Sequence, residues 1–231
     1  MAETVEMKII ARIRSDFSAK FGIPRQSGLV ESLRAEVVFA PEYRNPDAFR
    51  GLSLYSHIWL LWGFNEAVRE NWSATVRPPR LGGNERVGVF ATRSPFRPNA
   101  IGLSCVRLLE VDLSAPEGPI LRVGGADLLN GSPIFDVKPY LPYVDAHPEA
   151  TGGIALQRRE GTLQVDIPPE LLRRIPEDRR QALLDVLAQD PRPGYQHDPT
   201  RAYGMEFAGF DVRFVVEGDR LRVREIVPLR G

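Results

Sequence analysis

The sequence predicts a mainly β protein: a barrel or sandwich of short strands over residues 1–150, followed by a small α+β unit over residues 151–231. Three observations carry this. Short β-favouring runs alternate with Gly- and Pro-rich turn signals through the first part. Only one short helix is expected there, which argues against a doubly wound sheet with its alternating longer helices. After about Ala150 the character changes, and two helices opened by proline and acids follow.

The elements come in this order. MKIIARIR, residues 7–14, reads as a strand, and KFGIPRQSG after it is a loop punctuated by Gly22, Pro24 and Gly28. Residues 35–39 are a second β-favouring run, and NPDAF begins with Asn45 as a cap followed by one or two helical turns. HIWLLWGF, residues 57–64, is apolar throughout and is expected to be a central strand buried on both faces. TVRPPRLGG is stiff and then loose. Strands are expected over 86–91, 101–111 and 120–123, and PIFDVKPYLPYVDA is a short strand running into a proline-held extension. TGGIALQRREG marks the boundary. Pro168, Pro169 and Glu170 open one helix. Pro176, Glu177 and Asp178 open a second, which continues through residue 190 with Ala182, Leu183, Val186 and Leu187 at helical spacing. Residues 207–216 and 221–227 are expected to form a hairpin around EGDR.

Composition removes several function classes. Basic and acidic residues balance at 30 each, so nucleic-acid binding would need a local patch. The single cysteine, Cys105, fits a reducing, cytoplasmic setting. The opening residues lack a signal-peptide core, and no apolar run approaches membrane length, so no membrane partner is expected. No GxGxxG stands between a strand and a helix, and there is neither a P-loop nor a GxSxG. His57, His147 and His197 lie far apart without metal-ligand spacing, so no metal site is expected.

Polar chemistry concentrates in three places. In TRSPFRPNAIG, residues 92–102, Pro95 and Pro98 fix φ and hold Ser94 and Arg97 extended. Arg93 and Arg97 each offer a planar fork to a carboxylate or phosphate. Ser94 and Asn99 add shorter polar groups, and Asn99 is also a candidate cap for the chain that follows. Such preorganised donors suit a polar ligand; the alternative is a stiff connection whose arginines pair with nearby acids. In DVKPY, Asp136 and Lys138 share one face of an extended chain, and Pro139 holds the chain open before Tyr140. That pair is either a salt bridge or a site where Asp136 accepts a proton and Lys138 meets an anion. In GGADLLNG, paired glycines let a ligand approach the backbone and Asp127 is placed to take a ribose hydroxyl or an amino group; a bulge and turn is the plainer reading. The pairs Arg158–Arg159, Arg173–Arg174 and Arg179–Arg180 are phosphate contacts or solvated faces, and the interleaved acids favour the latter.

Taken together, GVFATRSPFRPNAIGLS, LLNGSPIFDVKPYLPY, FGIPRQSGLV, RGLSLYSHIWLLWGF and TVRPPRLGG resemble the TrmO family (TsaA-like, YaeB-type), and LAQDPRPGYQ and FAGFDVRF resemble its longer bacterial members. The resemblance runs through nearly the whole chain in order. It implies a non-Rossmann β-barrel cofactor domain over 1–150 and a small α+β domain over 151–231 that assists tRNA recognition. It implies an S-adenosylmethionine-dependent methyltransferase, working as a homodimer, whose substrate is the N6-threonylcarbamoyl-adenosine beside the anticodon of threonine tRNA. Carried over by motif, the cofactor pocket involves Pro24, Arg25 and Gln26, then Phe64 and Asn65 (many members carry histidine there), Arg93 and Leu103, and Gly125, Ala126 and Asp127. On this reading Asp136 or Tyr140 orients the acceptor nitrogen or receives its proton. Arg97, Asn99 and Lys138 face the substrate, with Arg97 and Lys138 on its threonyl carboxylate. Two other readings remain: a non-catalytic nucleotide- or RNA-binding barrel, and a small-molecule methyltransferase using the same pocket.

Overall fold

The computed structural model of the chain describes residues 3–64, 72–78, 85–153, 161–192, 198 and 200–229. In chain order the first part contains β1 (Ala11–Arg14), β2 (Arg34–Phe39), β3 (His57–Gly63), β4 (Thr75–Val76), β5 (Val87–Gly88), β6 (Ile101–Asp112), β7 (Ile120–Gly124), β8 (Pro133–Pro139) and a single turn of helix, α1 (Pro142–Asp145). Six of these strands close into an antiparallel barrel in the order β1-β2-β7-β6-β3-β8, and β4 and β5 pair as a separate ribbon.

Alternation of side chains builds the barrel. Ala11 and Ile13 of β1, Val37 of β2, Ile58, Leu60 and Trp62 of β3, Val106 of β6 and Leu121 and Val123 of β7 point inward and are buried in one cluster. Fully burying each large aliphatic among them is worth about 1.5–3 kcal/mol. Closure also leaves no exposed sheet edge.

In the first part the structure corrects four expectations. The first strand begins at Ala11 rather than at residue 7. β3 is not buried on both faces: its burial alternates, because His57, Trp59 and Leu61 lie on the outer surface. Residues 86–91 are not one strand; only Val87–Gly88 pairs, and Val89–Ala91 winds into a 3-10 turn closed by the Thr92 N–H donating to Val89 O at 3.1 Å. The proline-held extension after β8 turns helical over Pro142–Asp145, where Asp145 ties back to the Trp59 indole at 3.1 Å and to the Leu141 N–H at 2.8 Å.

The second part contains β9 (Gln164–Asp166), α2 (Pro169–Leu172), α3 (Glu177–Ala188), β10 (Tyr203–Phe207), β11 (Phe210–Glu217) and β12 (Arg220–Pro228). The sheet order is β10-β11-β12-β9, with β9 parallel to β12 and the other pairs antiparallel. Both helices open at prolines as the sequence indicates, and Ala182, Leu183, Val186 and Leu187 of α3 are its buried face. The hairpin around EGDR is β11–β12. The strand expected from residue 207 instead ends there: FAGF is a tight turn with Ala208 at φ 50° and Gly209 at φ 84°, the two positive angles of a hairpin turn.

The segment between β1 and β2 joins the two parts. Phe17, Val30 and Leu33 are buried in the same cluster as α3 and β10–β12. Phe21 stacks on Tyr203 with centroids 6.3 Å apart and on Phe214 at 6.4 Å. Met205 packs where a Cβ on Gly22 would stand, and Gly22 holds φ 95°, so the position suits only glycine.

Candidate active site

One end of the barrel gathers the end of β3, the start of β6, the turn after β7 and the β1–β2 connection. Trp62 lies across Gly102, its partner in the β3–β6 ladder; a Cβ at 102 would collide with the indole. The indole Nε1–H donates to Ser104 Oγ at 3.0 Å, and that hydroxyl donates to Asp127 Oδ1 at 2.6 Å. Ser104 is 1% exposed, so this chain is a buried polar network that aims a carboxylate. Burial pushes the Asp127 carboxyl above its ordinary range, against the opposing pull of Ser104 and of the nearby Arg93 charge. Gly125, at φ 74°, turns the chain toward Asp127 and its carbonyl accepts from the Gly28 N–H at 2.9 Å. A Cβ at 125 would sit 3.3 Å from the Gly28 backbone, so the close approach of these two loops needs glycine there.

The corner 92–102 is held mainly by its own backbone. Thr92 Oγ1 donates to Val89 O at 2.8 Å and accepts from the Ser94 N–H at 3.2 Å; Ser94 Oγ accepts from the Phe96 N–H at 3.3 Å. The Arg97 guanidinium folds back to Thr92 O at 3.1 Å. Arg93 instead reaches out and donates to Gln26 Oε1, while Gln26 Nε2 donates to Arg25 O at 2.5 Å. Arg25 Nη2 donates to Arg192 O at 3.2 Å, and its Nη1 is buried with no partner among the described residues. The corner, the PRQ loop and the Asp127 turn thus form one hydrogen-bonded rim.

That rim encloses a cavity of about 380 Å³, within the size range of small-ligand sites. Trp62 and Phe64, packed at 4.3 Å between centroids, form an aromatic wall continued by Ile101 and Leu103. Arg25, Arg93, Arg97 and Asp127 bring charge to it. The donor set fits S-adenosylmethionine: an apolar face for a base, a carboxylate for a ribose diol or ammonium, and arginines for a carboxylate. Among the described residues no group of three or more potential metal ligands stands together, and no helix is long and apolar enough to cross a membrane.

Of the residues named from sequence, Pro24, Arg25, Gln26, Phe64, Arg93, Arg97, Leu103 and Asp127 line the cavity. Gly125 and Ala126 do not; they shape the turn behind Asp127, and Ala126 is buried in the barrel core. Asn99 is exposed beside the cavity, and its carbonyl, not its side chain, takes the Ile101 N–H at 2.8 Å. Asn65 lies outside the described residues. Asp136, Lys138 and Tyr140 do not line the cavity. Asp136 and Lys138 form an exposed ion pair at 2.8 Å, and Tyr140 packs against His57 and Trp59. They still share the outer surface with the rim: in the β8–β3–β6 ladder Asp136 pairs with Leu61, and Leu61 with the cavity-lining Leu103. Two strand spacings put Asp136 roughly 10 Å from Leu103. The arginine pairs of the second part behave as structure: Arg174 bonds Ile226 O, Arg179 pairs with Asp16 and Asp178, and Arg180 bonds Ile175 O; Arg158 and Arg159 lie outside the described residues.

Sequence reasoning missed Trp62, Ser104, Lys20 and Ser132 as lining residues. One signal was available. Ser104 shares the parity of Val106 and Leu108 in β6, so it is a polar side chain on the inward face, and a buried hydroxyl calls for a partner.

Comparison with known proteins agrees with this geometry. Residues 12–146 match the tRNA-methyltransferase O N-terminal domain, and residues 160–229 match the TrmO C-terminal domain. The chain is 40% identical over 227 residues to the Escherichia coli protein named tRNA (adenine(37)-N6)-methyltransferase, covering 95% of this chain and 96% of the relative. It is 41% identical over 226 residues to a Pseudomonas aeruginosa protein named putative S-adenosylmethionine-dependent methyltransferase RcsF, covering 94% of this chain and 95% of that one. The crystal structure of TrmO from P. aeruginosa superposes with a TM-score of 0.80 at 34% identity, covering 99% of each chain. With both domain families matched in order and a cavity built from the residues that carry the resemblance, the chain belongs to the TrmO family.

Proposed function

We propose that the chain is an S-adenosylmethionine-dependent tRNA methyltransferase that methylates N6 of the adenosine at position 37, the position in the name of its E. coli relative. The observation that carries this is the cavity at the barrel end, where an aromatic wall, an aimed carboxylate and the lining arginines Arg25 and Arg93 meet. When bound, S-adenosylmethionine supplies an electrophilic methyl group on a sulfonium. Asp127 holds a hydroxyl or ammonium of the cofactor, and Arg93 and Arg25 hold its carboxylate.

The substrate is the threonylcarbamoylated adenosine beside the anticodon of threonine tRNA. Its acceptor nitrogen belongs to a urea-like group whose lone pair is delocalised, so alignment supplies much of the rate. Transfer would form the bond between N6 and the methyl carbon as the methyl–sulfur bond of the sulfonium breaks, with S-adenosylhomocysteine leaving, and N6 would give up its proton. Asp136 Oδ receives that proton and Tyr140 orients the acceptor, across the outer surface that runs from Leu103 to β8. Lys138, kept charged by Asp136, and Arg97 meet the threonyl carboxylate. The second part of the chain assists in holding the tRNA.

The working unit is a homodimer, acting in the cytoplasm with its tRNA. Large apolar side chains are available to a second copy: Leu54 is 86% exposed, Tyr143 82% and Phe90 72%. Size-exclusion chromatography with light scattering gives twice the chain mass if this is right, and one chain mass if it is not.

The activity is tested by incubating the protein with tritium-labelled cofactor and total tRNA from a strain lacking the enzyme. Label enters threonine tRNA on the proposed reading. No transfer at all indicates a binding barrel without catalysis, and label only in small metabolites indicates a small-molecule methyltransferase.

A further inference from the structure

The PRQ loop is part of the first domain by sequence, yet its anchors lie in the second. Ser32 Oγ donates to Asp185 of α3, Phe21 stacks on Tyr203, and Met205 fills the space above Gly22. The last anchor is at the end of α3. There Asp190 leaves the helix at φ 49°, the left-handed region, and its carboxylate clasps Arg192 with both oxygens. Nε and Nη2 of Arg192 each donate at 2.8 Å, and the Arg192 N–H donates to Asp190 Oδ1 at 3.2 Å. With Arg192 9% exposed, this is a nearly buried, bidentate brace rather than a surface pair. It fixes the direction of the Arg192 carbonyl, the acceptor for Arg25 Nη2.

From there a relay runs to the far side of the cavity. The Arg25 carbonyl accepts from Gln26 Nε2, and Gln26 Oε1 accepts from Arg93 Nη1. Arg25 sits 167 residues from Arg192 in sequence, so the geometry at the cavity depends on a distant part of the chain.

We propose that Asp190 is a positioning residue for the cofactor cavity, acting through Arg192, Arg25 and Gln26 to hold Arg93 in place. This rests on reading the cavity as the cofactor site. Its consequence is that the second domain completes the cofactor site in addition to any contact with tRNA. Without the brace, Arg25 and Arg93 must be ordered when the cofactor arrives, and that ordering is subtracted from affinity.

Two variants and one control test this. Asp190→Gly keeps the left-handed backbone and removes the carboxylate. Because it takes the Asp190 carboxylate from a nearly buried guanidinium, Asp190→Gly with Arg192→Leu removes both charges together, a change that buried pairs often tolerate. Asp190→Asn is the partial control: asparagine accepts positive φ and keeps one acceptor oxygen for Arg192, but turns an NH2 toward the second guanidinium donor. Affinity for S-adenosylmethionine is read by calorimetry, affinity for tRNA without cofactor by filter binding, and folding by thermal melting. We expect both brace-free variants to bind the cofactor about tenfold more weakly, the scale of one hydrogen bond to a charged group. KM for the cofactor rises while kcat changes less than twofold, cofactor-free tRNA affinity is unchanged, and Asp190→Asn, with one of the two acceptors, recovers part of the loss. Folded brace-free variants that bind the cofactor like the unaltered chain overturn the positioning role and leave the cavity's function standing. So does a loss of cofactor and tRNA affinity in equal proportion with melting, which is a merely structural effect. If the unaltered chain itself fails to bind the cofactor, the reading of the cavity falls and the inference with it.

Discussion

Asp127→Asn separates binding from stability at a single buried atom pair. The carboxylate accepts from Ser104 at 2.6 Å inside the barrel end, and burial raises its pKa despite that bond and the Arg93 charge. Asparagine is close in shape, and its Oδ1 still receives the Ser104 hydroxyl. What it loses is a charged acceptor facing the cofactor. A hydrogen bond to a charged group is worth about 1.5–3 kcal/mol net, so the dissociation constant for S-adenosylmethionine should rise about 10- to 150-fold. Stability should move the other way. A carboxyl whose folded pKa lies above its unfolded value binds more protons when folded, so it weakens the fold as pH rises from the ordinary 3.8 through the raised value. The difference in unfolding free energy, wild type minus variant, should therefore fall across that window and stay low above it. Calorimetry with the cofactor and urea melts across pH 3 to 8 (roughly the span in which carboxyls titrate) read the two effects. A dissociation constant within twofold of wild type refutes the assignment of Asp127 to the cofactor, and a flat pH difference refutes the burial argument.

Three further predictions follow from the same geometry. Gly102→Ala forces the Trp62 indole off its place and should cost about 1–3 kcal/mol by overpacking, seen as a lower melting temperature together with weaker cofactor binding; an unchanged melt contradicts the contact. Lys138→Ala breaks only an exposed ion pair, so the melting temperature should be essentially unchanged, while kcat/KM falls on threonylcarbamoylated tRNA and not on the unmodified transcript; equal losses on both rule out the carboxylate clamp. Asp136→Asn and Tyr140→Phe should leave the cofactor dissociation constant within about twofold because neither lines the cavity, yet lower kcat by about tenfold or more; wild-type kcat in both excludes proton removal at this place.

Much of the architecture was legible because short strands and proline-opened helices leave local signals. The hairpin around EGDR and the buried face of α3 are such cases. What was not legible depends on neighbours far away in sequence. HIWLLWGF is apolar on both faces, yet its outer residue Trp59 is only half-covered, by Tyr140 and the helical turn that carries Asp145. Val87 to Ala91 has β propensity, but Thr92 closes the backbone into a turn after two paired residues. FAGF hid a chain reversal because alanine at positive φ carries no composition signal.

The site divides in the same way. The corner with Arg93 and Arg97, and Asp127, stood out as donors and acceptors beside glycine and proline, while the PRQ loop entered only through the family resemblance. Ser104 and Trp62 did not, because their importance appears only once the inward parity of β3 and β6 is known. The link from Asp190 to Arg93 was beyond reach, since it runs partly through a backbone carbonyl, which no residue type announces. Asp136 and Lys138, open from sequence as either a salt bridge or a site, form an exposed ion pair on the outer surface, outside the cavity.

The central claim is that one cavity at the barrel end holds the methyl donor. A crystal structure with S-adenosylmethionine bound tests it most directly. The account predicts the adenosine and methionine moieties between Trp62 and Leu103, with Asp127 and Arg93 in hydrogen-bond contact. A cofactor bound elsewhere, or bound here without touching Asp127 or Arg93, contradicts it.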